Sequence, residues 1–445
     1  MDRYEWVRRV ESSARTYAAT FESVFESGAG LRIKDSAGRE ILDCLCCAGA
    51  LPLGHNHPEV RDAVIDFISS GHVQQVLDLT TPAKYEFIEQ LYKSLPLSFS
   101  AEAKIHFCSP SGSDAVEAAM KLTRIATQRH PIIAFHGAYH GMTGGALSAM
   151  GNLTPKSSGL SVASGVHFAP YPYAFRCPFG SDGSRTDELS LAYLKTILSD
   201  PESGIPAPAA VIVEVVQGEG GCIPVSDQWL RTLRELTRQH KVPLIVDEVQ
   251  SGFGRTGTMF AFERAGIVPD VLVLSKALGG GFPLAVVMYH ESLDVWSRGM
   301  HAGTFRGNQI AMVSGRKTLE IIERDALADQ AARIGATLMA GLRQLSERYP
   351  ELGDVRGRGL MIGVEVVKPA SGSYGEAAGD GELAGKIKQA AFRKGLLVET
   401  GGRHGAVLRF LPPLNITEAD VGEILTRFES ALTSTLRRGE MVCAA

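Results

Sequence analysis

Short runs of apolar, β-branched residues punctuate the middle of the chain, each too brief for a helix: KIHFC from 104, IIAF from 132, AVIVE from 210, PLIVDE from 243, VLVLS from 271 and LAVVM from 284. All six are predicted strands. Between them apolar residues fall at helical spacing, as Ala115, Ala118, Ala119, Leu122 and Ile125 do after a start near 113, and as Trp229, Leu230, Leu233 and Leu236 do. Such alternation implies βαβ units, hence an α/β fold whose mostly parallel central sheet is flanked by helices in a large domain over 76–310.

The flanks have a different rhythm. Residues 3–15 are predicted as an amphipathic helix with Trp6, Val7 and Val10 on one face, for packing or a subunit contact. LRIKDSAGREILD predicts two strands about a turn at Ala37-Gly38, and GHNHP opens a helix running to about Gly71. Beyond 310, residues 317–346 are predicted as one long helix, LMIGVEVV and AVLRFL as strands, and 382–394 and 418–437 as helices. That mixture implies a smaller α+β domain over 311–445, to which the N-terminal segment 1–75 contributes. PASGSYGEAAGDGE, rich in glycine, alanine and serine, is expected to be a mobile surface insertion.

Composition narrows the function classes. At 445 residues, with 44% hydrophobic and 21% charged, the chain suits a globular protein of two or three domains. A formal net charge of -4 argues against a nucleic-acid partner. No apolar run is long enough to span a bilayer and the N-terminus, MDRYEWVRRVESS, is charged, so neither a membrane partner nor a signal peptide is expected and the location is taken as cytoplasmic. Seven cysteines, an odd number, suit reduced thiols. The cluster Cys44, Cys46 and Cys47 lacks a second group of ligands at comparable spacing, and is expected to be buried filler rather than a zinc site. His55 and His57 lie at a turn and are expected to be structural; no metal is expected.

The chemistry gathers at strand ends. In an open parallel sheet ligands sit beyond the carboxyl ends of the strands, so Asp247 after LIV and Lys276 after VLVLS face one crevice. Burial there depresses a lysine's pKa, which suits a Schiff-base nucleophile. An aspartate beside it suits the ring nitrogen of pyridoxal phosphate, whose aldehyde takes the lysine and whose protonated ring accepts electrons from a carbanion. The same spacing also allows an aspartate in a strand-end salt bridge and a lysine at the surface. SPSGSDAVEAAMKLTR runs from small polar residues into a helix, whose free N–H groups make an anion site with Gly112 and Ser113 as phosphate contacts, or simply a helix cap. In FHGAYHGMTGGA, Tyr139 is placed to stack on a flat ring, with His140 beside it.

SGSD, AYHG, EVVQGEGG, DEVQSGFGRTG, SKALGGGFP and GTFRGN, in this order, resemble the class III aminotransferases, pyridoxal-phosphate enzymes of fold type I. The resemblance covers nearly the whole chain. It implies that Lys276 forms the Schiff base and then shuttles a proton between substrate carbon and cofactor carbon, that Asp247 pairs with the pyridine nitrogen, and that Gln250 hydrogen-bonds the ring oxygen. Tyr139 and Val249 would sandwich the ring. Gly112 and Ser113 would hold the phosphate, with Thr304 of GTFRGN reaching it across the interface of a homodimer. Arg409, in AVLRFL, matches the arginine that grips the α-carboxylate of a 2-oxo acid acceptor, and Glu219, in QGEGG, matches the glutamate that pairs with it while the amine donor is bound. A purely structural salt bridge is the other reading of this pair.

Many members of the family that act on ornithine, acetylornithine or 4-aminobutyrate carry an arginine where this chain has Met142, so the resemblance points away from those donors. FHGAYHGMTGGAL, YPYAFRCPFG, HAGTFRGNQIA and GGRHGAVLRFLPPLNIT resemble the diaminobutyrate:2-oxoglutarate branch. That implies transfer of the 4-amino group of L-2,4-diaminobutyrate to 2-oxoglutarate, or the reverse from aspartate 4-semialdehyde and glutamate. The alternatives are another ω-amino donor, lysine included, and then an aminomutase, racemase or decarboxylase on the same fold. Arg403 and His404 are candidates, on charge alone, for the donor's far end. A regulator built on the fold is disfavoured, because residues 1–75 carry no basic helix and Lys276 is intact.

Overall fold

The six apolar runs become strands of one seven-stranded sheet in the computed structural model, which describes residues 3–157, 165–368 and 378–442. Across the sheet the order is Ala103–Phe107, Val286–His290, Val271–Leu274, Leu244–Asp247, Ala210–Val213, Ile132–Phe135 and Val166–Ala169. All run the same way except Val286–His290, which is antiparallel to both its neighbours. The four inner strands from Val271–Leu274 to Ile132–Phe135 are buried along their whole length, which is why they are apolar at every position except Asp247. Val166–Ala169 was not expected: as an edge strand it pairs only with Ile132–Phe135 and is half-buried, so its sequence carries a weak signal.

Helices cover the sheet through small and large faces. Gly112–Thr127 buries Ala115, Ala118, Ala119 and Leu122, whose short side chains let the helix lie close to the strands, whereas Asp227–Gln239 buries Trp229, Leu230 and Leu233. Trp229 meets Phe135 and Tyr171 edge-on or tilted, with ring centroids 5.5 and 6.0 Å away.

Two smaller sheets flank this core. Leu352–Arg358, Met361–Val366, Val407–Phe410 and Glu399–Gly401 form an antiparallel sheet. Phe25–Ala29, Arg32–Asp35 and Glu40–Asp43 form a meander joined by Leu396–Leu397 from the other end of the chain. The long helix expected over 317–346 is two helices, Gln309–Arg324 and Leu327–Arg348, because Ala326 takes a left-handed φ of 48° and turns the chain between them. The N-terminal helix ends at Val10 rather than 15, ahead of Ser12 and Ser13, and its Trp6, Val7 and Val10 remain exposed on this chain.

Cys44 and Cys46 are buried as expected, but Cys47 is exposed: Cys46, Cys47 and Ala48 all have positive φ, and the turn throws the middle side chain outward. His55 Nε2 lies 2.7 Å from Asp43 Oδ2, while His57 precedes the helix Pro58–Ser69. Residues 369–377 of the glycine-rich stretch expected as a surface insertion lie outside the described residues. Among the described residues no helix is long and apolar enough to cross a membrane.

On Leu327–Arg348, a Cβ at Gly335 would stand 2.0 Å from the Gly359 carbonyl oxygen, so the helix touches the Arg358–Met361 turn through bare backbone. Gly335→Val is expected to destabilise the chain by about 1–3 kcal/mol by forcing that contact apart. The check is the midpoint of a denaturant titration; a midpoint equal to that of the parent would mean the contact has slack.

Candidate active site

The strand ends meet as the sheet topology requires. Asp247 closes Leu244–Asp247, in register with Val273 of the parallel neighbour, and Lys276 follows that neighbour after Ser275. Lys276 has a φ of 48°, a left-handed conformation that costs a non-glycine residue about 1–2 kcal/mol and turns its side chain back over the sheet edge. Ser275 Oγ donates to the Leu284 carbonyl at 2.9 Å and ties the turn to the returning strand. Lys276 and Asp247 then line one cavity of about 580 Å³. Among the described residues the lysine amine has no hydrogen-bond partner. Burial draws its pKa down, against the opposing pull of the Asp247 and Glu214 carboxylates.

Asp247 is held by hydrogen bonds at both oxygens. Oδ2 lies 2.7 Å from His140 Nδ1, and Oδ1 accepts from the Val249 N–H at 3.0 Å. His140 is buried, and its Nε2 has no partner. Burial alone would lower its pKa, but the hydrogen bond and charge of Asp247, with the charge of Glu214, raise it above the ordinary value. Glu214 stands behind this pair, accepting from the N–H groups of Tyr139 at 2.9 Å and Gly218 at 3.0 Å. Burial pushes its carboxyl up to about 7, the nearby Asp247 charge adding to the rise and His140 opposing it.

The rest of the cavity comes from loops that glycines allow to close. Helix Gly112–Thr127 starts at the wall, where a Cβ on Gly112 would be 3.1 Å from Val249 Cγ1. Gly141, at φ 127°, lets its loop press on that helix start, and Ser113 Oγ accepts from the Met142 N–H at 3.2 Å. Tyr139 and Met142 lie part-open at the rim, and Gln250 Nε2 donates to the Ala48 carbonyl at 2.9 Å. On the far side Arg409, from Val407–Phe410, is 1% exposed and pairs with Glu219 at 2.7 Å.

Of the residues singled out in the sequence, Gly112, Ser113, Tyr139, His140, Met142, Glu219, Asp247, Val249, Gln250, Lys276 and Arg409 all line this cavity. Thr304 does not: it opens the short exposed helix Thr304–Gly307. Arg403 and His404 line an adjoining cavity instead. Glu214 was missed as a site residue, although it ends the run AVIVE and so obeys the same strand-end rule as Asp247. A larger, more apolar cleft of about 1140 Å³ lies under the N-terminal helix, but no lysine lines it.

The family model of class III aminotransferases matches residues 12–432. The chain is 53% identical to a diaminobutyrate--2-oxoglutarate aminotransferase of Rhizobium meliloti strain 1021, across 95% of this chain and 90% of that protein. It is 44% identical to a protein of the same name from Haemophilus influenzae, across 96% and 94%. Among solved structures, an amine transaminase of an uncultivated Pseudomonas species in its PLP-bound form superposes with a TM-score of 0.85 at 28% identity, covering 96% of this chain and 98% of that one. An (S)-enantioselective ω-transaminase of Thermomicrobium roseum gives 0.84 at 28% identity, across 98% and 99%.

The buried acid makes stability depend on pH. A group whose folded pKa is raised stabilises fully below its unfolded pKa and loses that contribution as pH rises through the folded one, so Glu214 acts between 4.5 and about 7. His140, also raised, acts in the same sense. Glu214→Gln, which cannot titrate, is expected to flatten the fall in melting temperature of the ligand-free chain across that window, even if it lowers the melting temperature overall. Parallel slopes for variant and parent would mean that Glu214 is ionised throughout.

Proposed function

The chain belongs to the class III aminotransferases, and on that premise we propose that it moves the 4-amino group of L-2,4-diaminobutyrate to 2-oxoglutarate, yielding aspartate 4-semialdehyde and glutamate, or runs the exchange in reverse. The observation that carries this reading is the Arg409–Glu219 ion pair, 2.7 Å long and lining the same cavity as Lys276. A site that takes a 2-oxo acid in one half-reaction and an amine in the other needs a cation that can be bared and masked. The names of the Rhizobium meliloti and Haemophilus influenzae relatives support the choice of amine.

Pyridoxal phosphate is the cofactor, and the residues present fit it. Lys276 offers an amine with no hydrogen-bond partner among the described residues, Asp247 a carboxylate fixed at the cavity floor, and Gly112 and Ser113 the start of a 16-residue helix for a phosphate, which would take the Ser113 N–H over from the Ser111 hydroxyl. Val249 and Tyr139 supply apolar walls for a flat ring. Bound there, pyridoxal phosphate supplies an aldehyde for amines and a ring that takes up the electron pair left when a carbon–hydrogen bond breaks.

The chain's own groups do the rest. Lys276 Nζ would hold the cofactor through its amine and, when not so engaged, would carry the proton that leaves the substrate carbon; burial lowers its pKa, which favours that role. Asp247, held in place by His140 and the Val249 N–H, would accept a hydrogen bond from the ring nitrogen. Gln250 would donate to the ring oxygen with the amide hydrogen not spent on Ala48. Glu219 masks Arg409 while the diamine is bound, and moves aside so that Arg409 can take the carboxylate of 2-oxoglutarate. Met142 borders the donor side. Thr304, exposed on this chain, reaches the phosphate site of a second copy, so the working form is a cytosolic homodimer with shared sites.

The reading is tested by single half-reactions on the purified holoenzyme, following loss of the cofactor's visible absorbance with diaminobutyrate, ornithine, acetylornithine, 4-aminobutyrate and lysine in turn. Diaminobutyrate is expected to react fastest and 2-oxoglutarate to restore the absorbance; a faster reaction with ornithine or another donor would sink the substrate while leaving the reaction class. Arg409→Ala is expected to slow the 2-oxoglutarate half-reaction about 10- to 100-fold more than the diamine half, as befits loss of a charged hydrogen-bonding partner. Equal losses in the two halves would rule out a gate.

A further inference from the structure

Behind Tyr139 a second cavity, of about 800 Å³, adjoins the first and shares with it a wall of Tyr139, Met150, Asn152 and Glu219. Its far side is the hairpin tip that carries Arg403. The Gly402 N–H donates to the Glu219 carbonyl at 2.7 Å, so this tip is pinned to the residue that masks Arg409. Arg403 Nη2 lies 3.7 Å from where a Cβ on Gly137 would be, two residues before Tyr139.

Arg403 belongs to a cluster of three guanidiniums around Tyr173. Arg356 binds Asp354 at 2.7 Å and Glu365 at 2.8 Å, Arg176 also binds Glu365, and Arg356 and Arg403 lie 4.8 and 5.0 Å from the Tyr173 ring centroid. Among the described residues three cations face two carboxylates, and both carboxylates are taken by Arg176 and Arg356. Among the described residues Arg403 has no side-chain hydrogen-bond partner, and its Nη1 is buried. Burial lowers its pKa, and the charges of Arg356 and Arg176 add to the fall while Tyr173 and Glu365 oppose it. A cation stripped of much of its water and left without a counter-ion is costly, and an anion entering the cavity would relieve that cost. The other cations of the cavity are engaged, Arg176 by Glu365 and Lys156 by the Ser148 carbonyl at 3.1 Å.

We propose that this cavity is a carboxylate subsite, in which Arg403 receives the α-carboxylate of the amino-acid donor at the end remote from the amine being transferred. The inference rests on the donor reading above. In the donor half-reaction Glu219 occupies Arg409, so the donor's carboxylate needs another cation. Across the adjoining cavity, Arg403 is the cation left without a counter-ion among the described residues.

The test compares L-2,4-diaminobutyrate with propane-1,3-diamine, which has the same spacing between amines and no carboxylate. In Arg403→Gln holoenzyme the ratio of kcat/KM for the amino acid over the diamine is expected to fall about 10- to 100-fold, through KM for the amino acid, and Arg403→Lys to recover part of it. A ratio equal to that of the parent overturns the proposal. So does an equal loss with both donors, which is what a purely structural role for the arginine cluster would give. If the parent enzyme prefers a different ω-amino acid, the substrate reading fails, but the same comparison between that acid and its decarboxylated amine still decides for or against Arg403.

Discussion

Keeping a lysine out of water beside buried carboxylates is the constraint on which this structure turns. Lys276, Asp247, His140 and Glu214 meet where parallel strands end, and none of them would be stable there alone. The parallel register sets Asp247 against Val273, three residues short of the lysine, so the acid and the amine cannot drift apart without slipping the sheet. The antiparallel return of Val286–His290, anchored by the Ser275–Leu284 hydrogen bond, holds the strained turn at Lys276 from its other side. A left-handed lysine persists because both flanking strands over-determine it.

The legible parts of the sequence were those in which one residue's surroundings are set locally. Fully apolar runs became inner strands, and the rule that ligands lie beyond strand ends put Asp247 and Lys276 into one cavity. Glu214 obeys the same rule, yet nothing in AVIVEVVQ separates an acid buried behind His140 from one in solvent. The edge strand Val166–Ala169 and the break at Ala326 were illegible because an edge needs little apolar sequence, and because an alanine gives no hint of positive φ. Long-range pairing was the least visible. That Arg176 and Arg356 would share Glu365, leaving Arg403 without a counter-ion, depends on residues 189 positions apart. In the sequence Arg403 was a candidate for the donor's far end on charge alone, and only those partners set it apart from its neighbours.

The Arg409–Glu219 pair is asymmetric, and the asymmetry says which half can move. The arginine side chain is 2% exposed and the glutamate's 39%. Breaking a buried pair by removing one partner leaves an unpaired charge and costs about 3–5 kcal/mol, so Arg409 cannot be bared first and filled later. In the proposed exchange the incoming carboxylate would therefore reach Arg409 as Glu219 swings toward solvent, where the glutamate regains its hydration. On that reading affinity for the 2-oxo acid would be a difference between two ion pairs rather than the full strength of one, which would keep both substrates of a reversible exchange from binding too tightly to leave. Arg403, with no internal carboxylate to displace, would bind its anion without that deduction. A site with one masked and one unmasked arginine can tell its two substrates apart by where their carboxylates fall.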